Sequence, residues 1–189
     1  KADELRFMLS DCSARGVVTQ KEFLPGLLQA RKDLPDLKWL WSTDSSERAA
    51  GGRGAPAGIE NFNAFALSAG PAPGSPATVA AGDVAAILYT SGTTGNPKGV
   101  MLTHSNLTSN CEASIRAMGL TPRDVALTIL PMFHTFAWTA CVLLSLRLGA
   151  KNAVASSIAP AKPWLGLMAR HGVTIFAAVP PVYSALSKQ

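Results

Sequence analysis

Short apolar runs rich in β-branched residues alternate along this chain with longer runs whose apolar positions recur every three or four residues. That alternation restricts the fold more than any other feature, because strands separated by helices argue for a mainly parallel sheet with right-handed crossovers. Leu5, Met8, Leu9 and Cys12 behind Asp3-Glu4 predict a first helix, and Gly16 hands over to a strand at Val17-Val18-Thr19. A second helix is expected from Lys21 to Lys32 and a strand from Leu37 to Trp41. Beyond Asp83 the pattern sharpens into a buried strand at Val84–Tyr89, a short strand at Val100–Leu102, and a helix capped by Thr103 or Ser105 that runs to Met118 and Gly119. Then come a strand (Val125–Leu130), a buried helix (Phe136–Leu148), a strand (Ala150–Ala155), a helix (Ala161–His171, closed by Gly172) and a strand (Val173–Val179). The predicted class is α/β, with mainly parallel sheets flanked by helices.

Two tracts interrupt the alternation. Ser42 to Gly58 has almost no large apolar side chain, so burial cannot offset its ordering entropy, and a surface loop is expected there. A short apolar element, Ile59 to Leu67, precedes a second tract, Ser68 to Gly82, that carries three prolines and three glycines. The expected organisation is an N-terminal α/β segment over 1–67, a linker over 68–82 and a core segment over 83–189.

Composition removes several function classes. With 48% hydrophobic and 15% charged residues the chain can build a sizeable core, which excludes global disorder. Its net charge of +5 is spread over single basic residues, with only Arg31-Lys32 adjacent, so no nucleic-acid partner is expected. The last acid is Asp124, which excludes paired-carboxylate chemistry from there to Gln189. Cys12, Cys111 and Cys141 lack metal-ligand spacing and read as small buried hydrophobes of a reducing compartment, with neither disulfide nor zinc. The apolar stretch Phe136–Leu146 falls well short of the roughly 20 residues a bilayer requires. The start at Lys1, without a leader or initiator Met, suggests an internal piece of a longer cytoplasmic polypeptide.

One segment carries chemistry. Thr90-Ser91-Gly92-Thr93-Thr94-Gly95-Asn96-Pro97-Lys98-Gly99 packs four hydroxyls, three glycines and one lysine between two strands. Glycines let consecutive N–H groups turn toward one anion, hydroxyls add donors, and lysine brings a charge on a flexible stem, so a polyphosphate is the natural guest. Lys98 is the first basic residue after Arg53, an isolation that favours a specific role. The loop is neither GxxxxGK[ST] nor GxGxxG. A plain polar turn linking two strands stays open as the simpler alternative.

The residues also carry a family resemblance. Tyr89 through Val100 resembles the phosphate-loop signature of the adenylate-forming (AMP-binding) superfamily of acyl-CoA synthetases, luciferases and peptide-synthetase adenylation domains, over all twelve positions. Leu130-Pro131-Met132-Phe133-His134 is similar to the family's next core motif, and Thr174 to Tyr183 to the strand and loop that follow. The resemblance implies part of the N-terminal domain of an ATP-dependent acyl-CoA ligase of the long-chain fatty-acid type. Such an enzyme activates a carboxylic acid as acyl-AMP and passes it to coenzyme A. By the same resemblance Thr90, Ser91, Gly92, Thr93, Thr94, Gly95 and Lys98 hold the β- and γ-phosphates of ATP, while His134, with Lys98, serves catalysis near the α-phosphate and the acyl carboxylate. As a residue, His134 also reads as a core histidine bonded to backbone. His104 reads as local capping, His171 as a helix-end group, and Phe136 and Trp138 as core with a possible place in an acyl pocket.

The family's amino-acid-activating branch pairs the substrate ammonium with an Asp soon after the position of Phe133. Here His134-Thr135-Phe136-Ala137 follows, so a fatty or aromatic acid is expected. The resemblance further implies that the Mg²⁺-binding Glu, the ribose-binding Asp and the mobile C-terminal domain are missing from these residues. The chain alone is therefore expected not to complete adenylation, to touch membranes at most peripherally through an acyl substrate, and to self-associate through uncovered apolar elements. A stand-alone nucleotide- or anion-binding module is the alternative, and a basic nucleic-acid binder with steep salt dependence a weaker one.

Overall fold

The computed structural model describes residues 2–44, 58–68, 70, 74, 77–90 and 96–186. It divides into two compact units, one made of Lys1–Val79 with Ile87–Met101, the other of Ala80–Ala86 with Leu102–Gln189. Most of the Ser42–Gly58 tract and part of the 68–82 tract lie outside the described residues.

The first unit opens with α1 (Ala2–Asp11), β1 (Gly16–Thr19), a 3₁₀ turn (Lys21–Phe23), α2 (Leu24–Arg31) and β2 (Trp39–Ser42). Pro25 sits in the first turn of α2, where its missing N–H costs no helical hydrogen bond. The short apolar element resolves into β3 (Glu60–Asn61) and α3 (Phe62–Ser68). The three strands pair in parallel, in the order β1-β2-β3, with Val17 beside Leu40. One face of this sheet contributes Leu40 to a core of Leu24, Leu27, Ala30, Leu34, Leu37 and Ile59, with Leu5, Leu9 and Val17 packed against it. The other face is open: Val18 is 47% and Trp39 48% exposed. The rings of Trp39 and Trp41 stack at 6.5 Å there, and Phe65 meets Trp41 at 5.4 Å. A Cβ on Gly16 would fall 2.9 Å from the Trp41 ring, so glycine is what lets that ring lie flat on the strand.

Strands β4 (Val84–Thr90) and β5 (Lys98–Thr103) form a two-stranded sheet whose residues are divided between the two units.

In the second unit α4 (His104–Met118) begins with a reciprocal cap between Thr103 and Asn106 and ends at left-handed Gly119. Thr103 is the cap; His104 is the first helical residue, its N–H donating to the Asp83 carbonyl at 3.1 Å. Next come β6 (Val125–Thr128), α5 (Thr135–Ala137), a π-helical turn (Trp138–Leu143), α6 (Leu144–Leu148), β7 (Lys151–Val154), α7 (Lys162–His171), β8 (Ile175–Phe176) and α8 (Pro180–Leu186). The sheet is parallel in the order β7-β6-β8.

Alternation along β6 sends Leu127 toward Trp164 of α7, in a cluster with Ile129, Ala153 and Val182. Thr128 faces the opposite way and bonds Asn152, whose amide reaches the π-helical turn. Both faces of the central strand β6 are therefore covered, which is why it reads as a nearly continuous apolar run.

Some expectations differ in detail. β4, expected as a buried strand, has no buried residue: Val84, Ala85 and Thr90 are exposed and the others half-buried. The last strand is only Ile175–Phe176, and after three intervening residues Pro180 and Pro181 open α8, the position where proline suits a helix and cannot extend a ladder. The expected helix Phe136–Leu148 is present but carries the inserted π-helical turn at its centre. Among the described residues no helix is long and apolar enough to cross a membrane.

Candidate functional site

Of the segment that the sequence marks for phosphate binding, the structure describes the two ends. Thr90 closes β4 and Lys98 opens β5, both exposed, and the Thr90 hydroxyl reaches the Lys98 carbonyl at 3.5 Å. The structure thus brings Thr90 and Lys98 together; Ser91, Gly92, Thr93, Thr94 and Gly95 lie outside the described residues. Among the described residues, no acid forms an ion pair with Lys98, so its ammonium is available to an anion.

Packing explains how the ends are pinned. A Cβ on Gly99 would sit 3.0 Å from Ile87 Cγ2 and 3.2 Å from the Tyr89 ring, so β5 approaches the Tyr89 side chain as closely as only glycine permits comfortably. The Tyr89 hydroxyl points to α1, 2.6 Å from Asp11 Oδ2 and 3.1 Å from the Met8 carbonyl. One proton serves both acceptors, and the short distance assigns it to the carboxylate. Burial and the adjoining Asp11 carboxylate push the Tyr89 phenol well above its ordinary range. Asn96 borders, with Asp3, Arg6, Asp11 and Asp33, a polar cavity of about 560 Å³ in the same unit.

His134 lies in the second unit, beyond the C-terminal end of β6. It caps α5: Nδ1 accepts from the Phe136 N–H at 3.4 Å, a long bond, and the His134 carbonyl accepts from Trp138 N–H at 2.9 Å. Nδ1 as acceptor leaves Nε2 as the ring nitrogen that carries a proton in the neutral imidazole, and no described residue bonds it. The ring is exposed rather than buried, which removes the core-histidine reading.

His134 borders a cavity of about 810 Å³ lined by Met118, Phe136, Leu144, Ile175 and Phe176, with hydroxyls of Ser114, Thr135 and Thr139 and the amide of Asn110. The cavity is bordered by Ile175, Phe176 and Ala177 at the carboxyl end of β8, the kind of place where parallel sheets hold ligands. No carboxylate lines it.

Sequence reasoning missed the contribution of α4. Asn110, Ser114 and Met118 recur at intervals of four, which puts them on one helical face, and that spacing was the available signal. Phe136 is 43% exposed and lines the cavity instead of filling core. Among the described residues no three His, Cys, Asp or Glu side chains converge, so they offer no cage for Mg²⁺.

Over 185 residues the chain is 31% identical to the 4-hydroxybenzoate–CoA/benzoate–CoA ligase of Rhodopseudomonas palustris, covering 98% of the chain and 32% of that protein. It is 41% identical over 110 residues to 4-coumarate–CoA ligase 1 of Oryza sativa subsp. japonica, covering 56% of the chain and 19% of the relative. Among solved structures, ATP-bound MatB from Rhodopseudomonas palustris superposes with a TM-score of 0.78 at 28% identity, over 100% of this chain and 34% of that one. The anthranilate CoA ligase AuaEII in complex with anthranoyl-AMP also gives 0.78, at 27% identity, over 98% and 34%. The chain thus spans about a third or less of the length of these relatives. The family model for AMP-binding enzymes matches residues 1–189, and the chain belongs to that family.

Proposed function

We propose that this chain is the phosphate- and acid-binding part of an AMP-forming acid–CoA ligase. In that reaction a carboxylate oxygen attacks the α-phosphorus of ATP, the bond to the β-phosphate oxygen breaks, and pyrophosphate leaves. The thiolate of coenzyme A then attacks the acyl carbon and AMP departs. The observation that carries the reading is that Lys98, whose backbone carbonyl accepts from the Thr90 hydroxyl at the end of the hydroxyl- and glycine-rich segment, has no ion-pair partner among the described residues. Lys98 neutralises the phosphate tail, and positioning with charge compensation is most of what phosphoryl transfer requires from a protein. His134, with Nε2 unbonded among the described residues, directs an N–H toward the acyl carboxylate as its charge redistributes.

The cavity beside His134 favours an acid with an uncharged, apolar body, because it carries no carboxylate to meet an ammonium and its walls are largely hydrocarbon. A fatty acyl chain is the larger member of that class and a benzoate-type ring the smaller. Similarity to ligases of benzoate, coumarate and anthranilate supports the class.

Acid-dependent ATP–pyrophosphate exchange by the protein translated from the complete reading frame tests the proposal. Exchange is expected with decanoate and benzoate and not with phenylalanine, and the 189 residues by themselves are expected to give none above background. Exchange driven best by phenylalanine, or by no acid at all, contradicts the reading.

A further inference from the structure

The π-helical turn Trp138–Leu143 is unusual in having its departure from α-helix held by side chains from two strands. Leu144 N–H donates to the Thr139 carbonyl, five residues back instead of four, so one extra residue is accommodated in the turn. Such a turn gives up regular hydrogen bonding and persists where surrounding structure over-determines it. Here the Cys141 carbonyl accepts from Asn152 Nδ2 at 2.9 Å and from the Ser145 hydroxyl at 2.5 Å. The Thr128 hydroxyl donates to Asn152 Oδ1 at 2.9 Å. A carbonyl can only accept, so the Asn152 amide nitrogen must face Cys141, and Thr128 fixes the other end of the amide. Thr128, Cys141 and Ser145 are each at most 3% exposed, which makes an unmet partner in this network costly.

The same turn forms one wall of the apolar cavity through Thr139 and Ala140, with Leu144 just beyond it. On one side Phe136 is fixed by the His134 cap; on the other Arg147 of α6 pairs with Glu112 of α4. Relaxing the turn to regular α-helix shifts the register between these fixed points by one residue, which turns Thr139 and Ala140 by about 100° relative to the cavity. We propose that Asn152 is a positioning residue that sets the shape, and hence the acid preference, of the cavity by locking the π-helical turn through the Cys141 carbonyl. Asn152 does not line the cavity itself and acts only through the turn. The inference rests on the cavity being the acid site proposed above.

The test is calorimetric titration of the chain with decanoate, benzoate and pyrophosphate, for wild type, Asn152→Leu and Thr128→Val, with circular dichroism to verify folding. Asn152→Leu keeps the volume and removes the donor to Cys141; Thr128→Val keeps the shape and frees the amide to turn. The expected result is a change of at least about fivefold in the ratio of decanoate to benzoate affinity in both variants, with pyrophosphate affinity unchanged. An unchanged ratio in a folded Asn152→Leu variant overturns the inference and leaves the proposed function standing. If Asn152→Leu fails to fold, an unchanged ratio in Thr128→Val overturns it by itself. Wild type binding neither acid overturns the acid-site reading and this inference together, whereas retained pyrophosphate binding in that case preserves the phosphate reading.

Discussion

The two parallel sheets differ in what covers them. In β1-β2-β3 one face packs on a leucine core while the other leaves Val18 and Trp39 about half exposed. In β7-β6-β8 both faces of the central strand are covered, and Leu127 and Thr128, adjacent residues pointing opposite ways, are 0% and 1% exposed. Both units carry exposed ion pairs, Arg6 with Asp3 and Asp33 in the first and Arg147 with Glu112 in the second, which contribute little. The second buries a hydrogen-bonded network of Thr128, Asn152, Cys141 and Ser145 beside its cavity. Enclosure on both sides is what allows a sheet to fix the geometry of a ligand cavity, whereas a half-covered sheet serves mainly as a support.

The largest expected effect contrasts the two sheets directly. Leu127→Ala removes a fully buried side chain and is expected to cost ~2–5 kcal/mol, while Val18→Ala on the open face should stay within ~0.5 kcal/mol. Urea denaturation of both variants measures this, and similar losses would erase the distinction. Next in size, Gly16→Ala forces a Cβ against the Trp41 ring at 2.9 Å and is expected to cost ~1–3 kcal/mol, read by the same denaturation curves.

Tyr89→Phe removes the hydroxyl that meets Asp11 and should cost ~1 kcal/mol. It also carries a pH signature. The folded phenol titrates above its ordinary 10.0, so the unfolded chain releases that proton first, and the stabilisation is intact below pH 10.0 and declines above it. The Phe variant is expected to lack that alkaline decline in unfolding curves taken from pH 9 to 11, and retention of the slope would assign it elsewhere.

The smallest effect lies on the acid side. The Thr121 N–H and the Thr174 hydroxyl hold the Asp124 carboxyl below its ordinary 3.8. Its contribution is therefore present above pH 3.8 and lost as pH falls through the lower folded value. Thr174→Val should flatten this acid-side loss slightly, and an unchanged acid unfolding profile would show that the Thr121 N–H is sufficient alone.

How far the chain could be read before folding depended on whether the deciding contacts were local. The cap at Thr103, the left-handed glycines 119 and 172 and the β6 strand follow from neighbours in sequence and were legible. The π-helical turn was not, because an apolar helical run looks the same with or without one extra residue, and what holds it is Asn152 on another strand. The short β8 was misread for a related reason: an apolar run suggested a longer strand, and the weight of Pro180-Pro181 as a helix start went unrecognised. In the site, Thr90 and Lys98 were visible through the density of hydroxyls and glycines around them, and His134 through its motif. The cavity that gives His134 its setting draws on Met118 and Phe176, distant in sequence and joined only by packing.

The central claim is that Lys98 meets the phosphate tail of a nucleotide. Calorimetric titration of pyrophosphate and of ATP into wild type and Lys98→Ala tests it most directly. Loss of the ammonium is expected to weaken pyrophosphate by at least about tenfold, as for a charge-assisted contact to phosphate, with a parallel loss for ATP. Equal affinities in the two proteins would contradict the account.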